Sequence, residues 1–136
     1  MTKGSCLCGA IEYEVDEIAG KVGNCHCSIC RKSHGAAFAT QQLVKGETFI
    51  LLKGSSQLKE YESSSGVLRA FCSNCGSRLM NYTTDKTIYM SVALSSIDSE
   101  FKGKPSINLC VASKAEWFEI KDGLPCFDDF PKELLK

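Results

Sequence analysis

Residues 71–79 read FCSNCGSRL. Cys72 and Cys75 bracket a tight turn, and Gly76 can take the φ > 0 conformation that brings backbone N–H groups towards the sulfurs. This is the form of a zinc knuckle. Two thiolates fill half a tetrahedron, so a second pair has to come from elsewhere in the chain. Cys6 and Cys8, in CLCG, are the natural candidates, since that pair also ends in glycine ahead of a strand-like run. Joining the pairs would staple the N-terminus to the middle of the chain, which helps a small β domain of modest core. The expectation is a closed, structural four-cysteine site.

The chain has nine cysteines, an odd number, so full disulfide pairing is impossible. Cysteines one residue apart also bridge each other poorly, whereas short thiolate spacings suit a metal. With the first four assigned, CHCSIC at residues 25–30 remains, offering Cys25, Cys27 and Cys30. Three protein ligands with an open fourth position are the usual arrangement of a catalytic zinc. His26 is a candidate fourth ligand. Adjacent residues rarely aim at one metal together, however, and a hydrogen-bonded neighbour is the plainer reading. Spacing alone leaves another pairing open, in which the 25–30 cluster shares a metal with Cys72 and Cys75. Cys110 and Cys126 have no partner at metal spacing. Cys110, in INLCV, reads as a buried apolar cysteine.

Length and composition place the rest. The 136 residues suffice for one domain, 1–136, with a real core. Sixteen basic and 16 acidic side chains balance, which gives no footprint for a nucleic-acid surface. No stretch approaches the roughly 20 apolar residues of a membrane span. The start, MTKGSCLCGA, lacks the apolar region of a secretory signal. A cytoplasmic protein is expected, in a compartment that disfavours disulfides. Oligomeric state is open.

Short alternating runs dominate, and the fold class expected is mainly β. Strands are expected at 10–15, 38–44, 48–53, 58–62, 67–71, 79–82, 87–92, 107–111 and 117–120, with a hairpin turn at SSSG. The best helical segment is short, Ser28 to about Ser33, capped by Ser28 and stopped near Gly35. The tail carries turn signals and one terminal helical turn. Trp117 and Phe118 read as core aromatics of the last strand.

Four motifs then occur in order: GSCLCGAIEYEV, CHCSICRKSHGAAFAT, FCSNCGSRL and SKAEWFEIKDGLPCFDDFP. Together they resemble the glutathione-dependent formaldehyde-activating enzyme family, also named for its centromere protein V members, over nearly the whole chain. The resemblance implies an Mss4-like folded β structure with short helices, held by zinc. It implies structural zinc ligands at Cys6, Cys8, Cys72 and Cys75, and an active-site zinc at Cys25, Cys27 and Cys30. The reaction it implies is condensation of glutathione with formaldehyde to S-hydroxymethylglutathione, a carbon–sulfur lyase reaction in reverse. The chain departs from the family in two places: Glu116 stands where members often carry proline, and Asn108 where they often carry histidine.

A zinc held by three thiolates is a weak Lewis acid that suits a soft ligand such as a substrate thiol. The carboxylates of glutathione would need cations. Arg31 and Lys32, directly after the cluster, are the first candidates, followed by Arg69, Arg78 and Lys114, although basic side chains are more often solvated surface. His34 is a candidate proton shuttle, or a plain turn histidine. Two rival functions accompany the enzyme. One is a non-catalytic zinc module that binds a thiol or a protein. The other is a chain in which both clusters are purely structural.

Overall fold

The computed structural model describes residues 1–16, 18–101 and 103–132. Among the described residues, ten strands and one α-helix follow in chain order, besides three single 3-10 turns: β1 (Thr2–Ser5), β2 (Glu12–Val15), β3 (Ile18–Cys25), α1 (Ser28–His34), β4 (Ala39–Val44), β5 (Phe49–Lys53), β6 (Leu58–Ser64), β7 (Val67–Cys72), β8 (Arg78–Thr83), β9 (Met90–Ala93) and β10 (Pro105–Leu109). They form two sheets. The smaller has the order β1-β2-β5, and the larger the order β10-β3-β4-β9-β8-β7-β6. The fold is mainly β, as expected. The helical turn expected in the tail lies outside the described residues.

The core lies between the sheets. In β2, period-two alternation buries Tyr13 and Val15 and leaves Glu12 outside. Opposite them, the larger sheet contributes Ala70, Met80, Tyr82, Met90 and Val92. The intervening residues of these strands, Arg69, Asn81 and Ser91, turn to the other face and line a cavity. They also align across the sheet, since Arg69 pairs with Asn81 and Asn81 with Ser91. One pleat thus builds the core on one face and a polar row on the other. The edge strand β6 is mostly exposed and carries Lys59, Glu60 and Glu62, charges that discourage edge-to-edge pairing.

The structure departs from the sequence reading in several places. Strands β1 and β3 were not expected. TKGS is polar, and IAGKVGNC carries two glycines and no alternation, so each is held by its neighbours rather than by its own pattern. β1 pairs with β2, while β3 lies between β4 and the parallel strand β10. The expected strand at 117–120 is instead a turn, closed by Phe118 N–H on the carbonyl of Ala115 (3.2 Å). Lys114 Nζ caps that turn on the carbonyls of Ala115 (3.3 Å) and Phe118 (2.9 Å). Trp117 is 75% exposed and is not a core residue. The expected strand at 87–92 shortens to β9, after a turn in which Ile88 N–H meets the carbonyl of Asp85. The SSSG hairpin is formed as expected, with Gly66 at φ 75° between β6 and β7.

Candidate metal centres and the adjoining cavity

Two tight turns, one between β1 and β2 and one between β7 and β8, face each other. They bring Cys6, Cys8, Cys72 and Cys75 together with all four sulfurs within 4.8 Å of one another. Gly9 and Gly76, each directly after its cysteine pair, both take φ 80°. The Cys6–Cys8 sulfur separation is 3.6 Å and the Cys8–Cys72 separation 3.9 Å. These distances are too long for disulfides. They bracket the ~3.8 Å edge of a tetrahedron with metal–sulfur bonds of about 2.3 Å. The donor set therefore fits a zinc ion.

Polar groups ring this cluster. The backbone N–H of Ile11 donates to Cys6 Sγ (3.3 Å), and the Asn74 side-chain amide donates to Cys8 Sγ (3.2 Å). The Asn74 bond holds the Cys8 thiol below its usual range. A bond with the Ser77 hydroxyl brings Cys75 down to about 5, while burial pushes Cys72 up to about 11. Cys6 and Cys72 are buried between the sheets. The cluster ties the smaller sheet to the β7–β8 end of the larger one.

The second group is built by a strand end and a helix start. Cys25 closes β3, Cys27 is the N-cap of α1, and Cys30 lies in the first turn. Their sulfurs also lie within 4.8 Å of one another. The cap differs from the expected Ser28. Cys27 Sγ itself accepts the Cys30 backbone N–H at 3.2 Å. The helix stops at Gly35, in the left-handed conformation. Hydrogen bonds from Cys25 and Cys30 hold the Cys27 thiol far below its usual range, and Cys25 is raised correspondingly by its bond to Cys27. From β7, Arg69 places Nη1 at 3.3 Å from Cys30 Sγ. Three sulfurs, a helix N-terminus and a guanidinium make a setting that stabilises thiolate charge. This donor set also fits a zinc ion, with one ligand fewer.

His26 does not join the sulfurs. Its ring is fully buried between Phe38 (centroids 5.1 Å apart) and Phe118 (6.1 Å). Nε2 meets Asn108 Oδ1 at 3.1 Å, and Asn108 Nδ2 donates to both carboxylate oxygens of Asp122 at 3.1 Å. The oxygen of Asn108 can only accept, which places the His26 proton on Nε2. Asn108 thus has a definite task, orienting the histidine beside the cluster. Nothing in the sequence marked that link to Asp122, 14 residues away.

A cavity of about 360 Å³ opens beside the three cysteines. Its walls are mostly apolar, with Leu43, Val67, Ile107, Leu109 and Phe130, and its floor is the row Arg69, Asn81 and Ser91. Tyr89 stands on one wall, its ring edge-on to Phe130 at 6.0 Å, and its hydroxyl donates to Ser91 Oγ (3.0 Å). Ser91 in turn donates to Gln41 Oε1 (3.2 Å). Burial pushes the Tyr89 hydroxyl up to about 12, so it keeps its proton at neutral pH. Gln41 Nε2 meets His34 Nε2 at 3.3 Å. Burial, together with Arg69 and Arg78, brings His34 down to about 4, so at neutral pH it is an uncharged acceptor.

Cys110 also lines this cavity. It is only partly buried, contrary to the apolar-core reading, and has φ 56°. It is the one non-glycine residue with positive φ among the described residues. Cys126 is exposed, its thiol donating to the carbonyl of Leu124 (3.5 Å). Of the expected glutathione contacts, Arg31 turns its Nε onto the carbonyl of His26 (3.2 Å). Lys32 is exposed and lines a separate cavity together with Arg69 and Arg78. Among the described residues, no helix is long and apolar enough to cross a membrane.

The family described as "Glutathione-dependent formaldehyde-activating enzyme" matches residues 1–113. A Halomonas elongata protein, provisionally named as a glutathione-dependent formaldehyde-activating enzyme, is 28% identical over 99% of this chain and 92% of its own length. An uncharacterised lyase of Schizosaccharomyces pombe is 28% identical over 98% of this chain and 97% of its own. A crystal structure of a Rhodobacter sphaeroides protein superposes with a TM-score of 0.59 at 25% identity, covering 73% of this chain and 90% of that one.

Proposed function

Because this chain belongs to the glutathione-dependent formaldehyde-activating enzyme family, we propose that it is a zinc-dependent carbon–sulfur lyase-type enzyme acting on a small thiol adduct. The reaction is the interconversion of glutathione plus formaldehyde with S-hydroxymethylglutathione. The names of its relatives support lyase-type chemistry. The observation that carries the reading is the contrast between the cysteine groups. Four sulfurs join two facing turns, Cys6 and Cys72 buried and Cys8 exposed, whereas three sulfurs face a cavity.

We assign a structural zinc to Cys6, Cys8, Cys72 and Cys75, and a second zinc to Cys25, Cys27 and Cys30, two per chain. When bound, the second ion would supply Lewis acidity suited to a soft thiol. The remaining work falls to side chains. The apolar walls exclude water and hold thiol and aldehyde together, a gain in proximity. Arg69, beside Cys30, offsets the negative charge of the thiolates. The Tyr89 hydroxyl keeps its proton but donates it to Ser91 Oγ, so it would have to turn from that bond to donate to the aldehyde oxygen. In the forward direction a carbon–sulfur bond forms, the carbonyl π bond breaks, and the thiol proton ends on oxygen with no redox change.

We treat residues 1–136 as one domain. The segment after the family match returns to β10, with Asn108 N–H on the carbonyl of Pro125 (2.9 Å) and Phe127 N–H on that of Asn108 (2.9 Å). A cytoplasmic location is part of the proposal, since a reducing compartment keeps clustered thiols free for a metal. Exchange NMR tests the activity: the protein should speed interconversion of formaldehyde and the glutathione adduct well above the buffer rate. Saturable glutathione binding at the buffer rate would leave a non-catalytic thiol-binding module instead.

A further inference from the structure

The cavity beside the cysteines has a neighbour across Arg69. Between α1 and strands β6, β7 and β8 lies a second opening of about 530 Å³. It is lined by Lys32 and Ser33 from the helix, Ser63 from β6, Arg69 and Phe71 from β7, and Arg78 from β8. Alternation along β7 produces this, because Val67, Arg69 and Phe71 share one face. Arg69 belongs to both cavities, and its Nη1 already meets Cys30 Sγ.

The charges of this opening are all of one sign. None of its lining residues is acidic. Among the described residues, Lys32, Arg69 and Arg78 make no ion pair with a carboxylate. The acids of the adjoining strand β6 are engaged elsewhere, Glu60 by the Tyr82 hydroxyl and Glu62 by the Gly66 N–H. Asp98, in the next cavity along, accepts the Ser5 hydroxyl. The two guanidiniums are half-buried and fixed through Nε: Arg69 donates to Ser63 Oγ (2.9 Å), Arg78 to the carbonyl of Ser33 (2.8 Å). Arg78 also lies over the Phe71 ring at 4.8 Å. Nη1 of Arg69 is taken by Cys30 Sγ, but the bond of Arg78 through Nε leaves its Nη edge available, and a fixed guanidinium edge matches a carboxylate. Arg69 has the thiolates beside it, but Arg78 is half-withdrawn from water with no counter-charge, which is unfavourable, and a bound anion would relieve that cost.

We infer that this opening is the carboxylate subsite of the thiol substrate. Arg78 and Lys32 grip a carboxylate there, and Arg69 links the subsite to the sulfur-binding cluster. A substrate that spans both cavities is a thiol with a carboxylate several bonds from its sulfur. The inference rests on the proposed function for the position of the sulfur. The chain is therefore selective for anionic over neutral thiols.

S-methylglutathione is the first probe, because it keeps both carboxylates and has no free thiol to offer a metal. Calorimetry should show that it binds the wild-type protein, and that Arg78→Gln and the exposed-site variant Lys32→Gln each bind about tenfold more weakly. Arg78→Lys should recover part of the loss. Melting curves establish that both Gln variants are folded. The second probe is the cobalt-substituted protein, titrated with glutathione and with 2-mercaptoethanol. Arg78→Gln should weaken the response to glutathione while the response to 2-mercaptoethanol stays within about twofold. No binding of S-methylglutathione to the wild type, or equal affinity in the folded Gln variants, overturns the subsite. If S-methylglutathione binds as described but neither thiol alters the cobalt spectrum, the subsite stands and the metal-bound thiol of the proposed function fails.

Discussion

The two cysteine groups use the same donor atom in opposite surroundings. The Cys6–Cys8–Cys72–Cys75 group sits where two turns close on each other, and its neighbours are backbone N–H groups, Asn74 and Ser77. The Cys25–Cys27–Cys30 group sits where a strand ends and a helix begins. Its neighbours are a guanidinium and an open cavity with apolar walls. Ligand type therefore does not set the role of such a site. Ligand number and the space beside the ligands do: the first group holds two sheets together, and the second presents sulfur to a cavity.

The largest difference should appear in stability. Cys72→Ser is expected to cost about 4 kcal/mol or more and to lower the melting temperature by well over 10 °C, because the binding energy of the zinc proposed there would be folding energy. Cys27→Ser should shift the melting temperature by only a few degrees and abolish the spectral response of a cobalt-substituted protein to glutathione. Equal melting losses in the two variants would erase the contrast.

Arg69→Met sharpens the comparison, since the hydrogen bonds at the four-sulfur group come from a backbone N–H, Asn74 and Ser77 rather than from a guanidinium. It should reduce the catalysed rate of adduct formation by about 10- to 100-fold with little change in melting temperature, as expected for a lost electrostatic contact.

The fold was legible where chemistry is local. The two knuckles could be read from spacing and their glycines, and β2, β4, β5 and the β6–β7 hairpin from alternation. β1 and β3 were not legible, because what makes them strands is a partner distant in sequence. Arg69 was named among the basic candidates but not placed, although its spacing from Val67 and Phe71 fixes their shared face. The link from His26 through Asn108 to Asp122 needs the parallel pairing of β10 with β3, which leaves no trace in local sequence. The 117–120 segment misled because Trp117 and Phe118 were read as core aromatics of a strand, when Lys114 Nζ holds residues 115–118 as a turn.

A smaller effect distinguishes the surroundings by pH. In the folded chain His34 titrates near 4, against an ordinary value of 6.5. Between those values the unfolded chain binds the proton and the folded chain does not. The stability associated with a neutral His34 is therefore complete above about pH 6.5 and is lost as the pH falls towards 4. Wild type should lose more melting temperature between pH 7 and pH 5 than His34→Gln does. Parallel losses would contradict the neutral assignment. The smallest effect is expected at Cys110, whose φ of 56° favours glycine. Cys110→Gly should change stability by about 1 kcal/mol or less, because relief of backbone strain opposes the added freedom of the unfolded chain; chemical denaturation measures it.

Cobalt spectroscopy tests the central claim most directly. Protein loaded with two cobalt ions per chain should show thiolate-to-metal bands from both groups. On adding glutathione, the bands of the Cys25–Cys27–Cys30 group should change, and those of the Cys6–Cys8–Cys72–Cys75 group should not. Bands unchanged at saturating glutathione would mean that neither group has an exchangeable position, and would contradict the division between a closed and an open site.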